Sequence, residues 1–167
     1  MATTMLKGNT VNLAGTEVNV GDKAPQITVV NSDGLADKIV GGATGKKQLI
    51  IVVPSLDTAV CATETRNFNK RASEIEGVDT TVVSMDLPFA AGRFCSAEGI
   101  DNLTVASDFR NKDFANAYGV LIADGALAGV TCRAIFAVDA EGTIIYKEIC
   151  PEITEEPKYD EALAAVK

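Results

Sequence analysis

The segment QLIIVVP, residues 48–54, contains the longest strongly apolar run in the chain, Leu49 to Val53. Such a run, closed by a proline, is typical of a strand that is buried on both of its faces. A helix pattern follows it, because mostly apolar or small residues recur at steps of four and three at positions 61, 65, 68, 72 and 75. A buried strand that leads into an amphipathic helix predicts an α/β fold. Gly77 is predicted to end this helix, and charged residues such as Glu64 are predicted to lie on its other faces.

The other segments continue this alternation of strand and helix patterns. Short alternating stretches between residues 4 and 20 predict an N-terminal β-hairpin. Strands are predicted in APQITVVNSDG, VDTTVVSMD and NLTVASD, and a second hairpin in GVTCRAIFAVDAEGTIIYKEI. Helices are predicted in FAAGRFCSAEG, NKDFANAYG and EPKYDEALAAVK, the first capped by Asp86 with Pro88 in its early turn. The loop GGATGKK lacks the G-x-x-x-x-G-K-S/T spacing of a phosphate-binding loop and is interpreted as a turn.

The length and the net charge of the chain limit the classes of protein to which it can belong. The 167 residues fit one domain, residues 1–167, which is large enough to need no disulfide or metal for stability. Fifteen basic and 23 acidic residues give a net charge of −8, so binding to nucleic acid is not expected. No apolar run is long enough for a signal peptide or a membrane span. We therefore expect a cytoplasmic protein without a membrane association.

The chain has four cysteines and no histidine. The missing histidine excludes Ser-His-Asp and Cys-His catalysis. Zinc sites usually use cysteine or histidine pairs two to four residues apart, and no such pair is present. The absence of a C-x-x-C pair also disfavours a disulfide reductase of the thioredoxin type. A reactive cysteine in this chain must therefore be activated by another kind of group.

Cys61 has the most informative position of the four cysteines. It lies where the predicted buried strand passes through a loop into the predicted helix, with Thr58 three residues earlier and Pro54 at the end of the strand. Unpaired N–H groups and the helix dipole stabilise a thiolate at a helix start. The Thr58 hydroxyl can bond to the sulfur or to an oxygen near it, and Pro54 can shield the pocket from water. The alternative from position alone is a packing cysteine, because free cysteine is often buried.

These residues match the peroxidatic signature of the peroxiredoxins, Pro-x-x-x-Thr-x-x-Cys, as Pro54, Thr58 and Cys61. The longer string PSLDTAVCATETRNFN resembles the thiol peroxidase subfamily, the atypical two-cysteine peroxiredoxins. The strings VVSMDLPFAAGRFC, TVASDFRN, YGVLIADGAL, RAIFAVD and PEITEEPKYDEAL are also similar to that subfamily. The resemblance extends from about residue 7 to the end of the chain. Ala59 departs from it, since the family usually has proline or glycine there.

The resemblance implies a thioredoxin-like α/β fold, with a central mixed sheet flanked by helices and an added N-terminal β-hairpin. It also implies reduction of hydroperoxides with electrons from thioredoxin, in a homodimer that needs no metal, flavin or haem. The peroxidatic role carries to Cys61, the resolving role to Cys95 in RFCSAEG, and the role of the arginine that assists the thiolate to Arg133 in TCRAIF. Thr58 is expected to help align the hydroperoxide, and Pro54 to form part of its pocket.

Cys132 and Cys150 have no part in this scheme and are predicted to be packing residues. Successive side chains of a strand point to opposite faces, so Cys132 should face away from the site if Arg133 faces it. Three other interpretations stay open: a one-cysteine peroxidase, a redox relay or sensor that oxidises a partner protein, and a non-catalytic binding module. A binding module would need none of the proline, threonine and cysteine signature. Peroxide-dependent oxidation of thioredoxin at steady state separates turnover from relay.

Overall fold

The computed structural model describes residues 2–167, apart from the side chain of Ser73. The strands are β1 (Thr3–Leu6), β2 (Asn9–Ala14), β3 (Ile27–Asn31), β4 (Asp37–Val40), β5 (Gln48–Val52), β6 (Asp79–Ser84), β7 (Thr104–Ser107), β8 (Leu121–Ile122), β9 (Ala134–Val138) and β10 (Ile144–Ile149). The helices are α1 (Ala59–Arg71), α2 (Pro88–Glu98), α3 (Asp113–Ala117) and α4 (Tyr159–Ala165), and a 3-10 turn (Ala72–Ile75) extends α1. No helix within residues 2–167 is long and apolar enough to cross a membrane.

A mixed seven-stranded sheet forms the centre of the fold, in the order β10-β9-β5-β6-β7-β3-β4. Strands β5, β6 and β7 are parallel, and their other neighbours pair antiparallel. The predicted N-terminal hairpin is confirmed as β1 and β2, which join β8 in a separate three-stranded sheet. The predicted hairpin near the C-terminus is confirmed as β9 and β10.

The apolar run at residues 49–53 is buried on both faces, as its composition predicts. Leu49, Ile51 and Val53 pack in one core with residues of α1, α2 and α4, including Phe68 and Leu163. Residues of the opposite face pack in a second core, whose members include Ile50, Val52, Phe114, Val11 and Leu13. Helices therefore cover both faces of the sheet, and this arrangement confirms the predicted α/β class.

Two strands were not predicted from the sequence. Strand β4 lies at the edge of the large sheet, where Ile39 is 46% exposed, so its pattern does not mark a buried strand. Strand β8 has only two residues and is defined by its pairing with β2, a contact between distant segments. Edge strands and very short strands lack the apolar run or alternation by which strands are recognised.

The prediction that Asp86 caps the second helix is wrong. Leu87 is the N-cap of α2, and no side chain bonds to the N-terminal N–H groups there. The Asp86 carboxylate instead accepts hydrogen bonds from Ser55 and Leu56, in the loop that follows β5. Pro88 is the first residue of α2, as predicted, where its missing N–H costs no helical hydrogen bond.

Candidate active site

Cys61 lies in the first turn of α1, as its position in the sequence predicts. The helix begins at Ala59, two residues before the predicted start, and Thr58 is its N-cap in an extended conformation. The first N–H groups of a helix have no partner within it, so they point toward this turn as free donors. Cys61 is the third residue of the helix and has no exposed surface. The local sequence thus places a thiol at a helix start and out of contact with water.

Thr58 and Pro54 lie in the loop between β5 and α1. Pro54 is buried, and Thr58 is exposed. The Thr58 hydroxyl donates to the carbonyl oxygen of Ser55 at 3.0 Å. The sequence predicted that this hydroxyl bonds either to the sulfur or to an oxygen near it. The structure shows a bond to an oxygen of the loop. The oxygen of the hydroxyl keeps acceptor capacity for another donor.

Arg133 lies immediately before β9, and its side chain extends to the Cys61 sulfur. Its Nη2 lies 3.2 Å from Cys61 Sγ, its Nη1 donates to Glu64 Oε2 at 2.5 Å, and its Nε donates to the Ile153 carbonyl oxygen at 2.8 Å. The side chain is 2% exposed. Burial disfavours its charge, but Glu64 and Cys61 outweigh that effect and raise the pKa of Arg133. The guanidinium is therefore held as a cation beside the sulfur.

The neighbouring Cys132 points to the opposite side of the sheet, as the alternation along the chain predicts. Cys132 packs in the core that contains Phe136 and Val52, whereas Cys61 belongs to the other core. Burial raises the pKa of Cys132 to about 12. Burial also raises the pKa of Cys150, and the nearby Glu148 adds to this effect. Both thiols therefore stay protonated at neutral pH and are poor nucleophiles.

Glu64 lies in an environment that the pattern of α1 does not predict. The pattern places it on a face other than the core-seeking one, but it has no exposed surface. Glu64 is three residues after Cys61, and residues three apart lie on the same face of a helix. That spacing was the available signal, and the burial of the carboxylate depends on its ion pair with Arg133. Within residues 2–167, Glu64 Oε1 has no hydrogen-bond partner.

The Glu64 carboxyl titrates near neutral pH. Burial raises its pKa from 4.5 to about 7, although Arg133 opposes the shift. Because the pKa of Glu64 is higher in the folded state, its neutral carboxyl contributes most to stability below the unfolded-state pKa of 4.5. This contribution is lost as the pH rises through the folded-state value.

We expect the pH dependence of stability to reveal this group. Between pH 4.5 and 7, the free energy of unfolding of the wild type should fall relative to that of Glu64→Gln by about 3 kcal/mol, at about 1.4 kcal/mol for each pKa unit. Urea unfolding at several pH values measures this difference. Glu74→Gln is the matched control, since that carboxyl is not buried. A constant difference between wild type and Glu64→Gln over this range would contradict the assignment.

An apolar cavity of about 220 Å³ opens beside the loop that precedes Cys61. Its polar lining includes Thr58, Ser55 and Arg133. The apolar lining comes from four separate segments: Leu6 of the hairpin, Pro54, Leu127 with Val130, and Ile153. Residues predicted for the site, namely Pro54, Thr58 and Arg133, therefore line one cavity, and Arg133 also contacts the buried Cys61 Sγ.

Cys95 lies apart from this cavity. It is on α2, half-buried, and lines a separate polar cleft of about 530 Å³ together with Ser32 and Asp101. Burial raises the pKa of Cys95, and a hydrogen bond with Ser32 opposes the shift. Cys61 and Cys95 are both free thiols. The structure thus places Pro54, Thr58 and Arg133 in one cavity, with Arg133 in contact with Cys61, and places Cys95 on α2 in another cleft.

Comparisons with known proteins identify the family of the chain. The Redoxin family model matches residues 19–163. A thiol peroxidase of Aquifex aeolicus is 58% identical over 165 residues, which are 99% of this chain and 96% of that protein. A thiol peroxidase of Campylobacter jejuni is 54% identical over 157 residues, 94% of this chain and 88% of that protein.

Solved structures show the same fold. A crystal structure of a peroxiredoxin-like protein from Aquifex aeolicus has a TM-score of 0.95 and 57% identity, and the match covers 99% of this chain and 96% of that one. A thiol peroxidase from Chromobacterium violaceum has a TM-score of 0.86 at 22% identity, covering 95% of this chain and 91% of that one, and supports the fold alone. These matches confirm the thioredoxin-like fold predicted from the signature. The chain belongs to the thiol peroxidases of the peroxiredoxin family and is a peroxidase enzyme.

Proposed function

We propose that this thiol peroxidase reduces hydrogen peroxide and organic hydroperoxides with Cys61 as its peroxidatic residue. The observation that carries the proposal is the contact of Arg133 Nη2 with the buried Cys61 Sγ at 3.2 Å. A permanent positive charge interacts more strongly with a thiolate in a buried site than in water. The thiolate is the form of cysteine that attacks. Arg133 thus takes the activating role that a histidine has in Cys-His enzymes.

The oxidation of Cys61 is a two-electron step. The thiolate attacks the distal oxygen of the hydroperoxide, an S–O bond forms and the O–O bond breaks. Cys61 becomes a sulfenic acid, and the leaving oxygen takes a proton to become an alcohol or water. The Arg133 guanidinium and the free N–H groups of the first turn of α1 stabilise the negative charge that moves onto the oxygens.

The cavity beside the loop is the proposed substrate pocket. Its apolar walls fit the alkyl part of an organic hydroperoxide, and its polar lining includes Arg133. Thr58 Oγ1 donates to Ser55 and keeps lone pairs that can accept the hydroperoxide O–H. Pro54 has no N–H group and contributes an apolar wall, which keeps water from the sulfur. The substrate is thereby aligned before attack.

Cys95 is the proposed resolving residue. Its sulfur attacks the Cys61 sulfenic acid, an S–S bond forms and the S–O bond breaks, and the hydroxyl leaves as water with the proton of the Cys95 thiol. A disulfide needs Cα atoms within about 7 Å. Because the two cysteines lie on different helices, we propose that the start of α1 and the Cys95 turn of α2 unwind locally. Gly92 lies within α2, where glycine weakens a helix by up to about 1 kcal/mol, and α2 ends at Gly99, only four residues after Cys95.

The proposed reductant is thioredoxin, whose two thiols supply the two electrons and two protons that reduce the disulfide. This assignment rests on the resemblance of the chain to the atypical two-cysteine peroxiredoxins. The same resemblance is the basis for proposing a homodimer. A cytoplasmic location is consistent with four free thiols, since such compartments keep cysteines reduced.

A steady-state assay tests this function. Purified protein is mixed with thioredoxin, its reductase and either hydrogen peroxide or cumene hydroperoxide, and the consumption of reducing equivalents is followed. Many equivalents of either hydroperoxide consumed per chain support a thioredoxin-dependent peroxidase. A single equivalent, with oxidation of a partner protein, would instead support a redox relay. Turnover with a small dithiol but not with thioredoxin would contradict the proposed reductant alone.

Replacement of Arg133 should slow the peroxide step. Arg133→Met alone would leave the buried Glu64 carboxylate unpaired, and such a loss costs about 3–5 kcal/mol of stability. We therefore expect the informative comparison to be Glu64→Gln against the double variant Arg133→Met/Glu64→Gln, in which no buried charge is left alone. The double variant should form sulfenic acid at least about tenfold more slowly, as expected when a donor to developing negative charge is lost. Stopped-flow measurement of Cys61 oxidation gives the rate, and equal rates in the two variants would show that the guanidinium does not assist the sulfur.

A further inference from the structure

Asp86 lies between the loop that leads to Cys61 and the helix that carries Cys95. It follows β6 and directly precedes Leu87, the N-cap of α2. Its carboxylate accepts three hydrogen bonds: from Ser55 Oγ at 2.7 Å, from Leu56 N at 2.7 Å and from Ser84 Oγ at 2.9 Å. Hydrogen bonds to an ionised carboxylate are stronger than those between neutral groups. One side chain therefore connects the ends of β5 and β6.

The backbone of Asp86 is also fixed in place. The Ser84 hydroxyl accepts a hydrogen bond from Asp86 N at 3.2 Å, and Ser107 Oγ donates to the Asp86 carbonyl oxygen. Ser84 and Ser107 have at most 1% exposure and end the parallel strands β6 and β7. Asp86 is thus anchored at the C-terminal ends of β6 and β7, and its carboxylate holds the loop that follows β5.

The loop held by Asp86 is in turn hydrogen-bonded to the start of α1. The Ser55 carbonyl oxygen accepts from Thr58 N at 3.2 Å and from Thr58 Oγ1 at 3.0 Å. Leu56 is 3% exposed and packs in the same core as Cys61. The first turn of α1 therefore cannot unwind far while Ser55 and Leu56 stay bound to Asp86.

We propose that Asp86 is a positioning residue that acts as a latch on the Cys61 loop. The inference rests on the proposed Cys61–Cys95 disulfide and adds a control on the step that forms it. The latch holds the loop folded while the hydroperoxide reacts, and it must open before the Cys61 sulfenic acid can reach Cys95. Its strength sets how long the sulfenic acid stays in the folded pocket.

A sulfenic acid held in the pocket has a second fate. Its sulfur can attack another hydroperoxide, so that a second S–O bond forms, the O–O bond breaks, and a sulfinic acid and one alcohol or water result. The latch therefore controls the partition of oxidised Cys61 between the disulfide and the sulfinic acid. A tighter latch favours over-oxidation, and a weaker latch favours the disulfide.

The test compares variants of Asp86 in the full-length protein. Asp86→Ala removes all three acceptor bonds, and Asp86→Asn keeps the shape and one acceptor oxygen. Asp37→Ala is the matched control, since this exposed carboxylate of β4 lies outside the cleft of Cys95 and accepts no hydrogen bond within residues 2–167. After one equivalent of hydroperoxide, disulfide formation from the sulfenic acid should be about tenfold faster in Asp86→Ala, with Asp86→Asn intermediate and Asp37→Ala unchanged. Intact-mass spectrometry after rapid quenching separates the species.

A second measurement covers the case in which Asp86→Ala does not fold. Ser55→Ala removes a single latch bond at a half-exposed position and should shift the partition in the same direction, by about threefold. In excess hydroperoxide, the ratio of sulfinic acid to disulfide should fall in Ser55→Ala and Asp86→Asn. The ratio is interpreted together with the rate of disulfide formation from the sulfenic acid, because a variant that only reacts more slowly with hydroperoxide would lower the ratio and leave that rate unchanged.

The outcomes distinguish the latch from the proposed function. If the wild type forms no Cys61–Cys95 disulfide, the proposed resolving step is wrong. If the wild type forms it but Asp86→Asn and Ser55→Ala keep the wild-type disulfide rate and sulfinic acid ratio, the latch is overturned and the function stands. Amide exchange of residues 55–61 in the reduced protein should be faster in both variants, with β5 unchanged. Equal acceleration in β5 would indicate a general loss of stability and would also overturn the latch.

Discussion

Cys61→Ser is expected to abolish the reduction of hydroperoxides while the protein stays folded. Serine keeps the approximate size of the side chain, but its hydroxyl does not ionise at neutral pH. Arg133 then has no nucleophilic anion at position 61 to stabilise. The steady-state rate should fall at least about a thousandfold, since loss of a catalytic nucleophile can cost on the order of a millionfold. The buried position of Cys61 beside Arg133 tolerates the change because a hydroxyl can still accept the guanidinium hydrogen bond.

Cys132→Ala is the matched control for this variant. Cys132 is as buried as Cys61 and adjoins the same arginine, but it faces the other core. It should keep turnover within an order of magnitude of wild type. Circular dichroism and thermal unfolding verify that both variants are folded. Hydroperoxide consumption by Cys61→Ser at a rate near that of wild type would mean that another group is oxidised and that the peroxidatic assignment is wrong.

Cys95→Ser is expected to stop the enzyme after one turnover. The sulfenic acid still forms on Cys61, because α2 does not contribute to the pocket that contains Arg133. With no thiol at position 95 to attack it, the sulfenic acid persists, and excess hydroperoxide converts it to a sulfinic acid. Thioredoxin should therefore not be oxidised, and each chain should consume at most about two equivalents of hydroperoxide, one for the sulfenic and one for the sulfinic acid.

Mass spectrometry checks this result, since each oxidation adds one oxygen atom to the chain. Cys150→Ala is the control, because the Cys150 thiol stays protonated and has no place in the cycle. It should turn over within an order of magnitude of wild type. Sustained thioredoxin-dependent turnover by Cys95→Ser would favour the one-cysteine interpretation. Loss of turnover in folded Cys150→Ala would show that the resolving cysteine has been misassigned.

The local arrangement around Cys61 could be predicted because its signals lie in one continuous stretch of the chain, residues 48 to 75. The apolar run of β5 predicts a buried strand, the spacing along α1 predicts a helix, and Thr58 marks the boundary between them. These patterns report backbone periodicity, which neighbouring residues determine together. The same reasoning correctly predicted that Cys132 and Arg133 face opposite sides of the sheet.

Glu64 and Asp86 show where this reasoning ends. A glutamate on a helix is usually exposed, and an aspartate before a helix usually caps it, so the general preferences predicted the wrong environment for both. Each residue is determined by a partner in another element: Arg133 for Glu64, and Ser55 with Leu56 for Asp86. The general preferences of glutamate for exposure and of aspartate for helix capping take no account of distant partners. The bonds to those partners outweigh the preferences here.

The sequence by itself determined the order of most elements, the thiol at the start of α1 and the family signature around it. The resemblance carried by the sequence also assigned Arg133 to the Cys61 thiolate. Only the tertiary structure decided that Arg133 pairs with Glu64, across 69 positions of the chain, and that Asp86 holds Ser55 across 31. The physical reason is that periodicity specifies which face of an element is buried but not which distant side chain packs against it. That choice is made when β5, β6 and β9 align in one sheet and bring the residues at their ends together.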